Sequence, residues 1–291
     1  MAIPGRTDHT FLTPPECGAC FVRHRTSSPR ASLPPYWSSH IIIWAASTND
    51  TTRQKHPRRR AALLSDLNSN KSIAIDGPAA SGKTAVGTEL ARRLDYRYLD
   101  TGEMYRAVTL LALEAGIDMQ DQAALTELSQ RSPMELVDGP SGDRLVVDGR
   151  GFTGELRAQM VDRNVSQVSA VRGVRLALVE PQSNVAEQGP IVMVGRDIGT
   201  VVLPDAAVKV YLNASAEVRA QRRVLEMQAA GGDASYDRVL EELQMRDSID
   251  SERHESPLRP AAEALIIDTD DVSVDDIADT ILRNLRPDQW S

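Results

Sequence analysis

The segment Ser72-Ile-Ala-Ile-Asp-Gly-Pro-Ala-Ala-Ser-Gly-Lys-Thr84 restricts this chain more than any other part of its sequence. Residues 72–76 read as a short buried strand. Residues 77–84 fit G-x-x-x-x-G-K-[ST], and Val86, Leu90 and Leu94 form the apolar stripe of a helix over Thr84 to Leu94. A strand, a glycine-bearing turn and a helix in succession form a loop whose backbone N–H groups point inward, with the positive end of the helix dipole behind them. A chain of phosphates is the ligand such a concavity suits. Gly77, Pro78, Ala79, Ala80, Ser81, Gly82, Lys83, Thr84 and Ala85 are therefore the expected contacts of a nucleoside triphosphate. Lys83 supplies a mobile cation for the β/γ-phosphates, projecting into the ligand space rather than the core, and Thr84 offers a hydroxyl to Mg²⁺.

Charge divides the chain just before this segment. Residues 1–70 carry nine Lys/Arg against four Asp/Glu, whereas residues 71–291 carry 24 against 37. The first segment has Pro14-Pro15 and Pro34-Pro35, scattered Ser and Thr, and no period of 3.6 or 2. It reads as a disordered extension or as sequence upstream of the true start, and its basic, acid-poor composition is shared with transit peptides. Cys17-Gly-Ala-Cys20 with His24 lacks the four ordered ligands of a zinc site, and Arg58-Arg59-Arg60 reads as a solvated charge run. Ile41 to Ala46, the longest strongly apolar run, is far short of the ~20 residues of a membrane-spanning helix. A net charge of −8 argues against an indiscriminate nucleic-acid binder. Aromatic residues make up only 4%, so the core must be built from Leu, Val, Ile and Ala.

A phosphate loop leaves a small-molecule kinase, a switch GTPase and a nucleotide-responsive binding protein open. No N-K-x-D tetrapeptide for guanine occurs, and arginines stand at sharply placed positions downstream, which favours the kinase. Tyr96-Arg-Tyr-Leu-Asp-Thr-Gly-Glu-Met-Tyr-Arg106 predicts a second strand to Asp100, then a helix with Thr101 as its N-cap. Thr101 and Tyr105 are at i and i+4, with Arg106 beside them. Ile191-Val-Met-Val-Gly-Arg-Asp-Ile-Gly-Thr-Val-Val202 predicts a buried strand that breaks into a binding loop at Arg196-Asp197, and Asp205 to Leu212 reads as a further strand. Arg219, Arg222 and Arg223 precede the tip Ala229-Ala-Gly-Gly-Asp-Ala. Beyond it Arg246, Asp250 and Arg253 continue the stripe of Val239 and Leu243 at i, i+4, i+7, as one face of a helix. Two arginine-bearing helices joined at such a tip make a mobile lid.

Together these segments resemble the bacterial cytidylate kinases over residues 71–285. The matching wording is I-D-G-P-x-x-S-G-K-T, L-D-T-G-x-M-Y-R, G-R-D-I-G-T-V-V-x-P-D-A, R-D-x-x-D-S-x-R-x-x-S-P-L and the closing P-A-A-x-A-L-x-I-D-T. The resemblance implies an α/β P-loop nucleotide-kinase fold, with a five-stranded parallel sheet flanked by helices. It also implies an acceptor-binding insertion near 102–188, including a small antiparallel sheet around residues 134–153, and a short lid near 219–253. It implies transfer of the γ-phosphoryl group of ATP to CMP or dCMP with Mg²⁺, by a cytoplasmic monomer acting on neither nucleic acid nor membrane.

Carried over by position, Arg106, Arg196 and Arg253 grip the acceptor's phosphate, and Arg246, Asp250 and Tyr105 hold its ribose. Thr101, Ser166, Arg175 and Asp197 read the cytosine edge. Ser166 and Arg175 lie in a stretch that by itself reads as two helices and a turn. Arg222 and Arg223 close with the lid over ATP, and Lys83, Arg196, Arg223 and Arg253 form the catalytic set. One position departs from the family: the residue before Gly-Arg-Asp is ordinarily acidic and here is Val194. Asp76 and Asp100 are the candidates to replace an acid there near the metal.

Overall fold

Ser72–Asp76 (β1) is buried at every position because it runs through the middle of a sheet covered on both faces. The structure, a computed structural model, describes residues 72–137, 143–152, 154–229 and 231–285. The readings placed on residues 1–70, including Cys17, Cys20, His24 and Arg58 to Arg60, lie outside the described residues.

β1 pairs in parallel with Ile191–Gly195 (β6) on one side and Val208–Asn213 (β7) on the other. Arg97–Asp100 (β2) flanks β6 and Leu265–Asp268 (β8) flanks β7, giving the order β2-β6-β1-β7-β8, all parallel. The five-stranded parallel sheet is as expected. β2 begins one residue late because Tyr96 N donates to Ala91 O at 2.9 Å, closing the turn after the preceding helix.

Alternation sorts the strand residues between two cores. Ile73, Ile75, Val192, Val194, Val210 and Leu212 face Lys83–Leu94 (α1) and the C-terminal helix Val274–Asn284. Ala74, Leu99, Ile191 and Met193 face Thr101–Glu114 (α2) and the helices that follow it, Gln122–Arg131 (α3), Gln159–Ala170 (α4) and Arg172–Glu187 (α5). Between α3 and α4, Met134–Val137 (β3), Arg144–Val147 (β4) and Arg150–Gly151 (β5) make the expected antiparallel sheet.

Ala216–Ala229 (α6) and Tyr236–Glu252 (α7) form the arginine-bearing helix pair. Ala220, Val239 and Leu243 pack on Ala79, so this helix pair rests directly on the phosphate loop. No helix among the described residues is long and apolar enough to cross a membrane. In register, Asp100 lies beside Val194 and Asp76 beside Gly195. The motifs that follow β1, β2 and β6 therefore emerge at the carboxyl edge of the sheet, where strand order reverses and a crevice must open.

Candidate active site

The phosphate loop owes its path to backbone freedom at one glycine above all. Gly77 has φ +148°, and a Cβ there would lie 2.1 Å from Leu212 O, so no other residue fits. Gly82, at φ +91°, then caps α1, whose first residue is Lys83. Lys83 is 7% exposed and folds back on the loop, with Nζ donating to Pro78 O at 2.5 Å and Ser81 Oγ at 3.3 Å. Its ammonium thus bonds to the loop itself rather than projecting freely into ligand space as expected. Burial, reinforced by Arg196, pushes its pKa well below the ordinary lysine range. The negative charge of a polyphosphate would oppose both influences.

The acids at the strand ends divide their work. Asp76 accepts from Ile198 N and Gly199 N, each at 2.8 Å, and burial pushes its pKa up to about 6. Both its oxygens are committed to shaping the Arg196-Asp197 turn, which continues into a π-helical turn at Ile198–Val202. Val194 is 1% exposed and packs its Cγ1 against the Cα of Gly87, as a core residue. A carboxylate reaches the phosphate loop from β2, where Asp100 Oδ2 accepts from Thr84 Oγ1 at 3.1 Å. A hydroxyl and one carboxylate suit Mg²⁺, which keeps several waters and takes its other oxygens from phosphates. Among the described residues no three acidic, histidine or cysteine side chains form a metal cage.

Asp100 also corrects the capping expectation: its side chain accepts from Gly102 N and caps α2, while Thr101 Oγ1 donates to Val194 O at 3.0 Å. Around this edge lies a cluster of ion-paired arginines. Asp250, on the last turn of α7, accepts from Arg196 Nε at 2.8 Å and Arg253 Nη1 at 3.1 Å. Burial raises its pKa, but Arg196, Arg246 and Arg253 outweigh burial and hold it below the usual carboxylate range. Arg253 does not continue the helix face as expected. α7 stops at Glu252, Arg253 turns extended, and its Nε donates to Ser256 O at 2.6 Å.

Arg175, 2% exposed, donates to Asp197 Oδ2 at 2.5 Å and to Ser169 O at 3.1 Å, and stacks 5.3 Å from the Tyr105 ring. Burial pushes the Tyr105 hydroxyl up to about 12, so it stays a neutral donor. Ser166 is half-buried on α4, one turn before Ser169, and the two-helix reading of that stretch holds. Arg175 Nε, Arg246 Nε and Arg253 Nη2 are buried without a hydrogen-bond partner. Leaving one such donor bare costs about 1–3 kcal/mol, so three in one cleft mark where a ligand completes the structure. For Arg246, burial and the neighbouring Arg196 lower the pKa to about 10.

The sequence model of the cytidylate kinase family matches residues 73–287. The chain belongs to the cytidylate kinase family. It is 48% identical over 211 residues to a cytidylate kinase of Bacillus velezensis, covering 72% of this chain and 94% of that one. A cytidylate kinase of Rhodococcus jostii is 47% identical over 211 residues, covering 72% and 92%. Among solved structures, a shikimate kinase from Acinetobacter baumannii aligns at 16% identity with a TM-score of 0.38, over 77% of this chain and 96% of that one.

In this cytidylate kinase family member the lid arginines are engaged at three separate places. Arg222 donates to Thr269 O and, at 3.1 Å, to Thr269 Oγ1, and that hydroxyl in turn donates to Ser81 O at 3.2 Å. Arg223 pairs with Asp162 at 2.9 Å and Glu226 at 3.1 Å. Arg219 joins the lid to the phosphate loop, donating to Ala79 O at 3.3 Å and to Asp247 Oδ2 at 2.6 Å. Arg106 donates to Asp162 Oδ1 at 2.6 Å and to Leu156 O at 2.9 Å. Sequence reasoning assigned no role to Arg219, Asp247, Thr269 or Asp162. Asp247 and Thr269 stand inside recognised wording, and Arg219 heads the arginine run before the tip. Asp162 carries no sequence signal.

Proposed function

We propose that this protein transfers the γ-phosphoryl group of ATP to CMP or dCMP, yielding ADP and CDP or dCDP, with the roles that follow. The observation carrying the acceptor assignment is the buried arginine cluster, whose unpartnered donors lie at the carboxyl edge of the sheet beside a phosphate loop. Arg106, Arg196 and Arg253 take the acceptor's phosphate, and Tyr105, Arg246 and Asp250 take its ribose. Thr101, Ser166, Arg175 and Asp197 face the base, with the Asp197 carboxylate accepting from the exocyclic amine of cytosine. The kinase unit is residues 71–291. The reading carries with it a cytoplasmic monomer that acts on free nucleotides.

The chemistry is an in-line displacement: an acceptor phosphate oxygen forms a bond to the γ-phosphorus as the bond to the β-bridging oxygen breaks. Both substrates are polyanions, so positioning and charge compensation supply most of the rate. Lys83 leaves Pro78 O for the β/γ oxygens. Arginine serves the acceptor because its planar fork meets phosphate bidentately and keeps its proton. Thr84 and Asp100 would hold Mg²⁺, which neutralises charge on the donor phosphates when bound. The lid, seated on Ala79 through Ala220, Val239 and Leu243, excludes water that would otherwise accept the phosphoryl group.

ADP release measured across CMP, dCMP, UMP, AMP and no acceptor tests this reading. Release that depends on acceptor and is fastest with cytosine nucleotides is expected. An AMP rate equal to the CMP rate, or release independent of acceptor, would refute it.

A further inference from the structure

Asp162 stands where three parts of the molecule meet. It lies on the first turn of α4, and its two oxygens are divided between arginines from different elements. Oδ1 accepts from Arg106 of α2 at 2.6 Å, and Oδ2 accepts from Arg223 of α6 at 2.9 Å. One of those arginines is assigned to the acceptor's phosphate and the other to the lid that closes over ATP. A carboxylate bridging two guanidinium groups has the charge sign and the oxygen spacing of a phosphate edge.

We propose that Asp162 is a positioning residue that occupies both arginines in place of phosphate, so that an acceptor phosphate must displace it from Arg106 and its charge holds Arg223 back from the γ-phosphoryl group. The inference rests on the assignment of Arg106 to the acceptor.

Three features suit Asp162 to exchange rather than permanent pairing. Its side chain is 25% exposed, and Arg106 and Arg223 are 17% and 30% exposed, so water reaches the bridge. Asp250, by contrast, is 3% exposed and bonds two arginines deep in the cleft. Each arginine also keeps a second partner when the carboxylate leaves: Arg106 retains Leu156 O, and Arg223 retains Glu226 on its own helix. Finally, a phosphate monoester brings up to two negative charges and three oxygens against the single charge of Asp162, so it wins the competition for a bidentate fork. The device holds Arg223 on the carboxylate and away from the donor phosphates, which restrains ATP hydrolysis.

Calorimetric titration of the full-length protein with CMP alone, together with ADP release with and without CMP, tests the idea. Asp162→Asn removes the charge at nearly constant size, and Asp162→Ser does so with a smaller side chain should the amide disturb α4. Both are expected to bind CMP roughly threefold tighter or more, the range of a partly exposed ion pair no longer competing. Both are also expected to raise CMP-independent ADP release severalfold. Glu226→Gln removes the same charge beside Arg223 without touching Arg106, and its CMP affinity should stay within about twofold of wild type. Unchanged or weaker CMP binding in both Asp162 variants overturns the proposal, as does an equal gain in Glu226→Gln. Tighter CMP binding without a rise in CMP-independent release overturns the coupling to the lid. Arg106→Ala separates this from the underlying assignment. If it binds CMP as wild type does, the acceptor reading of Arg106 fails. If it loses CMP affinity while the Asp162 variants gain none, only the role of Asp162 falls.

Discussion

Replacing Asp250 by Ala removes a deeply buried carboxylate shared by two cleft arginines. Its side chain is 3% exposed, and it accepts from Arg196 at 2.8 Å and Arg253 at 3.1 Å. Each charged hydrogen bond is worth about 1.5–3 kcal/mol, and removing one partner of a buried pair costs about 3–5 kcal/mol because the other charge stays buried. For a folded unit of this size each kcal/mol lowers Tm by roughly 2–4 °C, so Asp250→Ala should melt about 6–20 °C below wild type. The sign with pH follows from the lowered pKa of Asp250 in the fold. Its contribution is present above the ordinary carboxylate pKa and is lost as pH falls through the folded value, so the gap between the two proteins should close in acid. Inorganic sulfate supplies a replacement anion, and should raise the Tm of Asp250→Ala more than that of wild type. Thermal denaturation with and without sulfate at neutral and acid pH reads all three effects. A loss under about 2 °C, or equal stabilisation by sulfate, would refute the account of Asp250 as the charge that holds this cluster together.

Four further outcomes follow from the same geometry. Lys83→Met keeps the apolar stem and removes a charge that burial disfavours, so Tm should hold or rise while kcat falls roughly a hundredfold or more; a variant that loses several degrees, or turns over normally, contradicts this placement. Asp76 should titrate near pH 6, and protonation leaves its hydroxyl oxygen a much weaker acceptor for one of Ile198 N and Gly199 N, so kcat should fall below that pH. Because its pKa is raised in the fold, Asp76 itself adds stability as pH drops from about 6 toward 3.8, so this loss of rate is not matched by a loss of Tm from the same group, and an acid limb unchanged in Asp76→Asn would exclude it. Asp197→Asn should narrow the preference for CMP over UMP about tenfold or more, measured as the ratio of kcat/KM values, by weakening a charged hydrogen bond to the base; an unaltered ratio argues that Asp197 serves Arg175 alone. A chain beginning near Ser65 should match the full-length protein in Tm and in kcat/KM for CMP, since every residue given a role lies at or beyond Asp76, and a tenfold loss, about 1.4 kcal/mol of transition-state stabilisation, would overturn that boundary.

The sequence alone determined whatever depends on spacing within one element. Gly77 to Thr84 between an apolar strand and an apolar-striped helix specifies a phosphate loop, and the buried runs at 72–76 and 191–194 specify central parallel strands. Val239 and Leu243 on one stripe place a helix face inward, and that face does meet Ala79. What the sequence left open is which charge answers which. Arg106 and Arg223 meet Asp162 across 56 and 61 residues, and Arg196 meets Asp250 across 54. Those pairings follow from how α2, α4, α6 and α7 pack against the sheet edge, which no single periodicity encodes. Local rules also failed where tertiary contacts outweighed them. Arg253 fits the helical spacing, yet the chain leaves the helix at Glu252 because Leu258 N bonds to Asp250 O at 2.8 Å and folds the next segment back. Thr101 is a good capping residue, but Asp100 takes that place because strand pairing sets Thr101 beside Val194 O. The missing acid at Val194 was visible in the sequence. That Asp100 stands beside Val194 was visible only once the register of β2 against β6 was set, because register is a property of two strands together.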